Sequence, residues 1–389
     1  MWKTVKLGNV ATVIAGQSPP SENYNKEGIG TPFMQGKKDY GDKFPNPPTV
    51  WTTSVTKLAE KGDILMSVRA PVGALNIANQ QVCIGRGLAA IRATEDIEFD
   101  YLFYVLLQIS TKLEGNAGAI FNSINKKQIE EIEVMLPPRA EQQRIVAKLD
   151  AAFAEIDTAI EATKAKQIEI GNVKSSALNE CLAPDEDTVM WKTVKLGGLF
   201  KIGSSKRVLK ADWRDHGVPF YRGREVTTLS KFGHVDNDLF ISEEHYSDLS
   251  SNYGIPHQGD ILVTAIGTIG NTYIVKEEDR FYFKDASVLW LHKTSEVDSK
   301  FVDYWFKSSV FSQQLDVGNG TTVDTLSITK LNNLDLSLPS LAEQQCIVAK
   351  LDAISKEVET ANQAIIESEA NYRALKSTIL AQELQSEAA

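Results

Sequence analysis

Two long stretches of the chain alternate apolar and polar residues with a helical rhythm. In the later one, Ile347, Leu351, Ile354, Val358, Ala361, Ile365, Ser368, Tyr372, Leu375 and Ile379 follow steps of four and three residues. That is the 3.5-residue seam of a helix packed lengthwise on another helix. The earlier stretch carries a looser version at Ile145, Leu149, Ala152, Ile156, Ala159, Ile170, Val173 and Ala177, broken at Thr163 and Lys166. Such stripes are not left in water, and forty helical residues extend roughly 60 Å. The pattern predicts that the two tails pack on each other. Ahead of each tail the rhythm changes. GDILMSV (62–68) and LAAIRA (88–93) are short β-like runs, residues from Phe99 to Ile109 have helical spacing, and Ile132, Val134 and Leu136 alternate as a strand. Leu334, Leu336 and Leu338 alternate likewise. Pro137 and Pro339 then hold the preceding residue extended, and helix begins just beyond.

The chain writes this pattern twice. LPPRAEQQRIVAKLDA (136–151) returns as LPSLAEQQCIVAKLDA (338–353) with three positions changed, and MWKTVKLG (1–8) returns letter for letter at 190–197. GTPFMQGKK (30–38) answers GVPFYRGRE (217–225), GDILMSVRAPVG (62–73) answers GDILVTAIGTIG (259–270), and DYLFYVL near Tyr104 answers KFVDYWF near Tyr304. The order is kept throughout, which marks a tandem duplication with small loop insertions. The expected fold class is α+β: two mixed α/β bodies in tandem, each followed by a long α-helix, the two helices forming an antiparallel coiled coil with pseudo-two-fold symmetry, because similar units joined head to tail close as a pseudo-dimer. The boundaries read as 1–138 for the first body, 139–183 for the central helix, 184–339 for the second body with a short linker at 184–189, and 340–389 for the distal helix. The expected seam residues are Ile145, Leu149, Ile156, Ile170, Ile347, Leu351, Ile354, Val358, Ile365, Tyr372, Leu375 and Ile379.

At 389 residues the chain has room for two cores. No apolar run approaches the roughly 18 residues of a membrane span, and MWKTVKLGNV has neither a signal-peptide core nor a transit-peptide composition, so the expected location is cytoplasmic with no membrane partner. Cys83, Cys181 and Cys346 are odd in number and never paired as CxxC, which argues for free thiols. A formal net charge of −10 speaks at first against a nucleic-acid partner. Most of the excess, however, lies in the tails; each body is nearly neutral, so local basic clusters can still face phosphates.

No catalytic constellation emerges. There is no GxxxxGK[ST], HExxH or GxSxG. The histidines, His216, His234, His245, His257 and His292, have no metal-ligand spacing and read as surface or singly bonded side chains; no metal ligand is expected. Asn46, Pro47, Pro48 and Thr49 approach the motif of amino-methyltransferases but lack its aromatic residue, so a proline-rich turn is the simpler reading. Gly318, Asn319 and Gly320 form a glycine turn after a helix, a weak nucleotide-binding signal. What the halves share is glycine-flanked polar loops. Gln35, Lys37 and Lys38 follow Pro32 and Phe33, while Arg222 and Arg224 follow Pro219 and Phe220. Gln17 and Ser18 sit where the second copy has Ser204, Ser205, Lys206 and Arg207, and Arg69 closes the first GDIL run. Arginine and lysine suit guanine edges or phosphates and glutamine suits adenine. Gln17, Ser18, Gln35, Lys37, Lys38, Arg69, Lys206, Arg207, Arg222 and Arg224 are therefore the candidate DNA contacts. Taken singly, each is more often part of a solvated turn.

The order of body, AEQQ helix, body and AEQQ helix resembles the DNA specificity subunit of type I restriction-modification systems. The paired AEQQ segments, the WKTVKLG starts, the PFMQGKK and PFYRGRE loops and the two GDIL runs carry the resemblance across essentially the whole chain. It implies that each body is a target recognition domain on double-stranded DNA, that the helices dock two methyltransferase subunits and nuclease/translocase subunits, and that the chain itself is non-catalytic and holds no cofactor. S-adenosylmethionine, ATP and Mg would act on the partners. Base preference does not carry over, because Gln35 and Lys37 stand against Arg222 and Arg224. The expected target is bipartite and asymmetric, with half-sites roughly 34 Å apart and a spacer on the order of six base pairs. The alternative from another class is a non-DNA coiled-coil adaptor presenting two protein-binding heads.

Overall fold

A computed structural model describes residues 2–115, 123–183, 191–315 and 325–385; the side chains of 112–115 and the glycine turn at Gly318, Asn319 and Gly320 lie outside the described part. The chain divides into two compact units, Met1–Lys164 with Ile365–Ala389, and Ala165–Ala364.

In the first unit, strand Lys3–Lys6 pairs antiparallel with Glu133–Leu136, Lys3 facing Leu136, so the body closes beside the start of the long helix Arg139–Leu182. A four-stranded antiparallel sheet runs in the order Ala11–Ala15, Leu88–Ala93, Ile64–Ser67, Leu75–Ile77. Strand Ile64–Ser67 is buried on both faces. Ile64 and Met66 pack with Tyr101, Leu102 and Leu106 of helix Phe99–Gly115, while Leu65 packs with Met34, Val82, Ile84 and Leu88 on the other side. Double-sided burial explains why this run reads as unbroken apolar sequence instead of alternating. The second face is covered by a small mixed sheet in the order Tyr24–Asn25, Trp51–Thr52, Thr31–Met34, Val82–Ile84, Leu58–Ala59, with Thr31–Met34 parallel to Val82–Ile84.

The second unit repeats the topology. Lys192–Lys195 pairs with Asp335–Leu338, and the four-stranded sheet runs Phe200–Ser204, Val288–Lys293, Ile261–Thr264, Thr272–Ile274. Its second layer differs. Three short strands, Phe240–Ile241, Val218–Tyr221 and Tyr282–Phe283, are joined by helices Gly223–Phe232 and Glu243–Tyr253, where the first unit has only the single turn Lys37–Asp39. The added helices carry their own stop and start signals. Gly233 ends one in the left-handed region at φ 73°, and the Ser242 hydroxyl accepts the His245 amide at the start of the other.

The duplicated AEQQ and KLDA letters have a structural cause. Gln142 is buried; its Oε1 accepts the Glu98 amide at 2.7 Å and its Nε2 donates to the Pro137 carbonyl at 2.9 Å. Gln344 repeats this with Asp298 at 2.8 Å and Pro339 at 2.9 Å. About two turns later, the Tyr104 hydroxyl donates to Asp150 and the Tyr304 hydroxyl to Asp352, each at 2.5 Å. Each long helix is thus bolted to its own body by a buried amide and a tyrosine–carboxylate bond, and burial raises both phenols above the usual tyrosine range.

Within the first unit, the start of Arg139–Leu182 lies antiparallel to the end of the second long helix, Leu341–Glu383: Lys148 meets Glu383 at 2.6 Å and Lys376 meets Asp157 at 2.7 Å. Ile145 and Leu149 are fully buried and Ile156 nearly so. Within the second unit, Leu178, Cys181 and Leu182 pack with Ile347, Val348 and Leu351, again end to start. Ile170, Ile354, Val358, Ile365, Tyr372 and Ile379 are half-buried. Leu375 corrects the expected seam: it is 46% exposed, and Leu380 and Leu384 point inward instead. The reason is the helix period. A strict heptad advances 3.5 residues per turn and a straight helix 3.6, a drift of about 20° per heptad, so eight turns beyond Leu351 the buried side is at Leu380. Val173 is exposed as well, and Phe153, unread in the sequence, is buried edge-on against Tyr104 at 5.5 Å. Among the described residues no helix is long and apolar enough to cross a membrane.

Candidate nucleic-acid interface

In the first unit, strand Ala11–Ala15 runs into Gln17 and Ser18, strand Thr31–Met34 into Gln35, and strand Ile64–Ser67 into Arg69. These exits converge. Ser18, Gln35 and Arg69 line one open cleft of about 470 Å³ together with Pro19, Tyr24 and Arg86. Arg86 was not read from the sequence. It sits between Gly85 and Gly87, which lie so close to the Gln35 loop that a Cβ on Gly87 would come within 2.2 Å of the Gln35 carbonyl and one on Gly85 within 3.1 Å of the Ser18 hydroxyl. The glycine pair was the available signal: Gly85-Arg86-Gly87 places a basic residue beside glycine, as Gly36-Lys37 and Arg222-Gly223-Arg224 do.

The cleft is held by backbone-directed bonds. Ser18 Oγ accepts the Arg86 amide at 3.3 Å, and the Asp39 carboxylate accepts the Gln35 and Gly36 amides at 2.7 and 3.2 Å. The Thr56 hydroxyl donates to the Gln17 carbonyl. Gln17, Gln35, Lys37, Lys38, Arg69 and Arg86 are all exposed. None of these cations has an ion-pair partner among the described residues. A rigid scaffold thus presents cations and amides with their donors free for acceptors on a ligand.

The second unit builds the same frame with other side chains. Ser204 Oγ accepts the Ala286 amide at 3.1 Å, as Ser18 does for Arg86. The Ala265 amide donates to the Ser287 carbonyl at 2.9 Å, as Val68 does to Gly87. Ser205 donates to the Phe283 carbonyl, and the Lys206 amide to the Tyr282 hydroxyl. Lys206 and Arg207 are exposed, the Lys206 ammonium lying 5.1 Å from the Tyr253 ring centre.

Arg222 and Arg224 are engaged differently from Lys37 and Lys38. Arg222 bonds Glu225 at 2.9 Å and Asp238 at 3.0 Å; Arg224 bonds the same two carboxylates at 2.7 and 2.8 Å. Glu225 is 1% exposed, and the Arg222 amide also donates to it. Burial alone would raise its carboxyl, but the hydrogen bonds from Arg222 and Arg224 outweigh that and hold it below the ordinary carboxylate value. The four charges form a neutral brace at the start of helix Gly223–Phe232. Arg222, the less exposed of the two arginines, is the residue the brace occupies most.

Other expected features fall in place around this frame. Asn46 donates to the Tyr40 carbonyl at 2.8 Å and closes the proline-rich turn. Asp63 and Asp260 of the GDIL repeats are buried; Arg92 grips the first, and Trp290, His292 and two backbone amides surround the second. His216 bonds Asp215 and His234 the Phe232 carbonyl. The three cysteines are free. Among the described residues no group of three or more His, Cys, Asp or Glu side chains gathers to hold a metal.

Comparison with known proteins places this architecture. A solved structure described as "Structural basis underlying complex assembly and conformational transition of the type I R-M system" superposes with a TM-score of 0.72 at 20% identity, covering 99% of this chain and 98% of the other, a likeness of fold. The putative type I restriction enzyme MjaX specificity subunit of Methanocaldococcus jannaschii is 44% identical over 182 residues, which are 46% of this chain and 42% of that protein. The type I restriction enzyme EcoBI specificity subunit of Escherichia coli is 23% identical over 420 residues, 99% of this chain and 86% of its own length. The model of the type I restriction modification DNA specificity domain matches twice, at residues 1–170 and 188–368. Two matched copies, each with its body and the start of its bolted helix, account for the repeat in the sequence: the chain belongs to the type I restriction modification DNA specificity domain family.

Proposed function

We propose that the chain is the DNA specificity subunit of a type I restriction-modification complex and does no chemistry of its own. Residues 1–138 and 184–339 act as target recognition domains on double-stranded DNA, and 139–183 with 340–389 dock two methyltransferase subunits and nuclease/translocase subunits. S-adenosylmethionine, ATP and Mg then serve the partners, in the cytoplasm. The observation that carries this reading is the pair of matched turns: Ser18 and Ser204 hold equivalent turns by the same hydrogen bond, while the side chains presented there differ. A scaffold kept constant under changed side chains suits two different base sequences, and hence a bipartite target that is not a palindrome.

In the first half, Gln17, Ser18, Gln35, Lys37, Lys38, Arg69 and Arg86 meet the duplex; in the second, Lys206 and Arg207 do so, with Arg222 and Arg224 contributing through N–H groups the brace leaves over. The acidic excess of the helical tails keeps them off the phosphates and available to partner subunits.

The test is retention of duplex DNA by the full chain, alone and with co-produced modification subunits, over a salt series. Log affinity should fall linearly with log salt, and Arg86→Ala should lower the slope by about one if it meets phosphate, or relax one base position by about 1–3 kcal/mol if it meets a base edge. Arg222→Ala should act first on the stability of the second unit. Failure to copurify with a methyltransferase, together with no duplex retention at low salt, would instead support an adaptor that presents two protein-binding heads.

A further inference from the structure

The backbone hydrogen bonds around the strand exits of the two units, without reference to their side chains, assign equivalent positions residue by residue. In the first unit the Val68 amide donates to the Gly87 carbonyl, the Ile124 amide to the Val68 carbonyl, and Arg69 bridges to Ser123. In the second, the Ala265 amide donates to the Ser287 carbonyl, the Leu326 amide to the Ala265 carbonyl, and Ile266 bridges to Thr325. Ile266 therefore stands where Arg69 stands. Likewise the Gly85 amide donates to the Met34 carbonyl and the Lys284 amide to the Tyr221 carbonyl, so the turn Gly85–Gly87 corresponds to the four residues 284–287. Asp285 and Ala286 take the place of Arg86.

The exchange inverts the chemistry. The first cleft offers only donors at these two places, the guanidinium groups of Arg69 and Arg86, which suit the O6 and N7 acceptors of guanine. The matched positions of the second unit offer a branched alkyl group and a carboxylate. Ile266 is 48% exposed, and the loop beneath it is fixed. The Thr264 hydroxyl accepts the Asn271 amide at 3.0 Å, the Gly270 amide donates to the Thr264 carbonyl at 2.9 Å, and Asn271 reaches Thr227 at 3.2 Å. An apolar side chain held in water on a rigid loop, at the position where the sister unit places a DNA-facing arginine, has a natural occupant in the major groove: the C5 methyl of thymine, the one apolar group that a base pair presents there.

We infer that the second unit reads an A·T pair through the thymine methyl on Ile266, while the first unit reads a G·C pair through Arg69 and Arg86 at the matched place. Asp285 fits the same assignment, since the adenine of that pair presents its N6 amino group as a donor on the same groove edge, with thymine O4 between it and the methyl. The inference rests on the reading of the chain as a DNA specificity subunit. It assigns a specificity-determining residue that the sequence pattern passed over because Ile266 is neither basic nor amide-bearing.

Uracil for thymine is the discriminating probe, because it removes the methyl and nothing else. Each thymine of the recognised duplex is replaced in turn by uracil, and affinities are measured for the full chain assembled with its modification subunits. For the unaltered chain, one replacement should weaken binding about fourfold, the equivalent of one buried methyl at ~0.8 kcal/mol. Ile266→Ala should abolish that difference, and Ile266→Arg should shift the preference at the same position toward guanine; both changes are at an exposed side chain, and unaltered thermal unfolding verifies that the fold is kept. Equal binding of every uracil-substituted duplex, or a uracil effect that persists in Ile266→Ala, overturns the inference while leaving DNA recognition intact. Lack of any duplex retention removes the functional reading and the inference with it.

Discussion

Replacing Gln344 with alanine removes both bonds that fasten the second long helix to its body, the acceptor for the Asp298 amide at 2.8 Å and the donor to the Pro339 carbonyl at 2.9 Å. The side chain is 1% exposed, so water does not replace the lost partners without opening the junction. An orphaned buried donor costs about 1–3 kcal/mol, and the second lost bond adds about 1 kcal/mol, for a total of roughly 2–4 kcal/mol. In a unit of about 200 residues each kcal/mol moves the unfolding midpoint by about 2–4 °C, so a fall of about 4–16 °C is expected. The neighbouring Gln345, exposed on the same helix, is the control, and Gln345→Ala should stay within about 0.5 kcal/mol. Urea denaturation gives the free energy, and amide hydrogen exchange at Asp298 reports the lost acceptor directly. If Gln344→Ala matched Gln345→Ala in midpoint and Asp298 kept its protection, the repeated glutamine would not be the bolt described above, and the conserved letters of the repeat would need another cause.

Leu380→Ala should destabilise the first unit by about 2–5 kcal/mol because it empties a buried site, whereas Leu375→Ala, at an exposed position, should change stability by less than about 0.5 kcal/mol; paired denaturation curves decide which period the helix follows. The depressed carboxyl of Glu225 gives a pH dependence of definite sign. Its folded-state value lies below the ordinary 4.5, so its stabilising contribution is present above about pH 4.5 and is lost as the pH falls through the lower folded value; Glu225→Gln should flatten that acid limb of a thermal-unfolding profile. Lys376→Ala removes the solvent-accessible ion pair to Asp157 and a cation 4.6 Å from the Phe153 ring, and should cost no more than about 1–2 kcal/mol in the same assay.

The long-range order of the chain was legible because it is periodic or repeated. The tandem copies, the long helices and the strands before Pro137 and Pro339 each leave a pattern in the sequence. What was not legible depends on bonds that a pattern does not encode. Gln142 and Gln344 look like ordinary polar helix residues until their amides are found buried against the body. Leu375 satisfies a heptad on paper, yet a straight helix turns it outward and brings Leu380 in. Helices Gly223–Phe232 and Glu243–Tyr253 fill a stretch where the first copy has the single turn Lys37–Asp39 and the short strands Trp51–Thr52 and Leu58–Ala59, so the repeat itself misled. At the candidate interface, residue type selected Gln35, Lys37 and Arg69 but missed Arg86, whose place depends on the close approach of Gly85 and Gly87 to another loop. It also gave equal weight to Arg222 and Lys37, although Glu225 and Asp238 occupy one and leave the other free.

Under the proposed function, two bodies that present different side chains on one hydrogen-bonded frame imply a target with two unlike halves. Mapping methylated adenines across the genome of cells with and without this gene tests that requirement most directly. The expected result is a single motif of two different short sequences flanking a spacer of fixed length and arbitrary sequence, present only when the gene is intact. A motif that survives loss of the gene, or one that is continuous or palindromic, would contradict it.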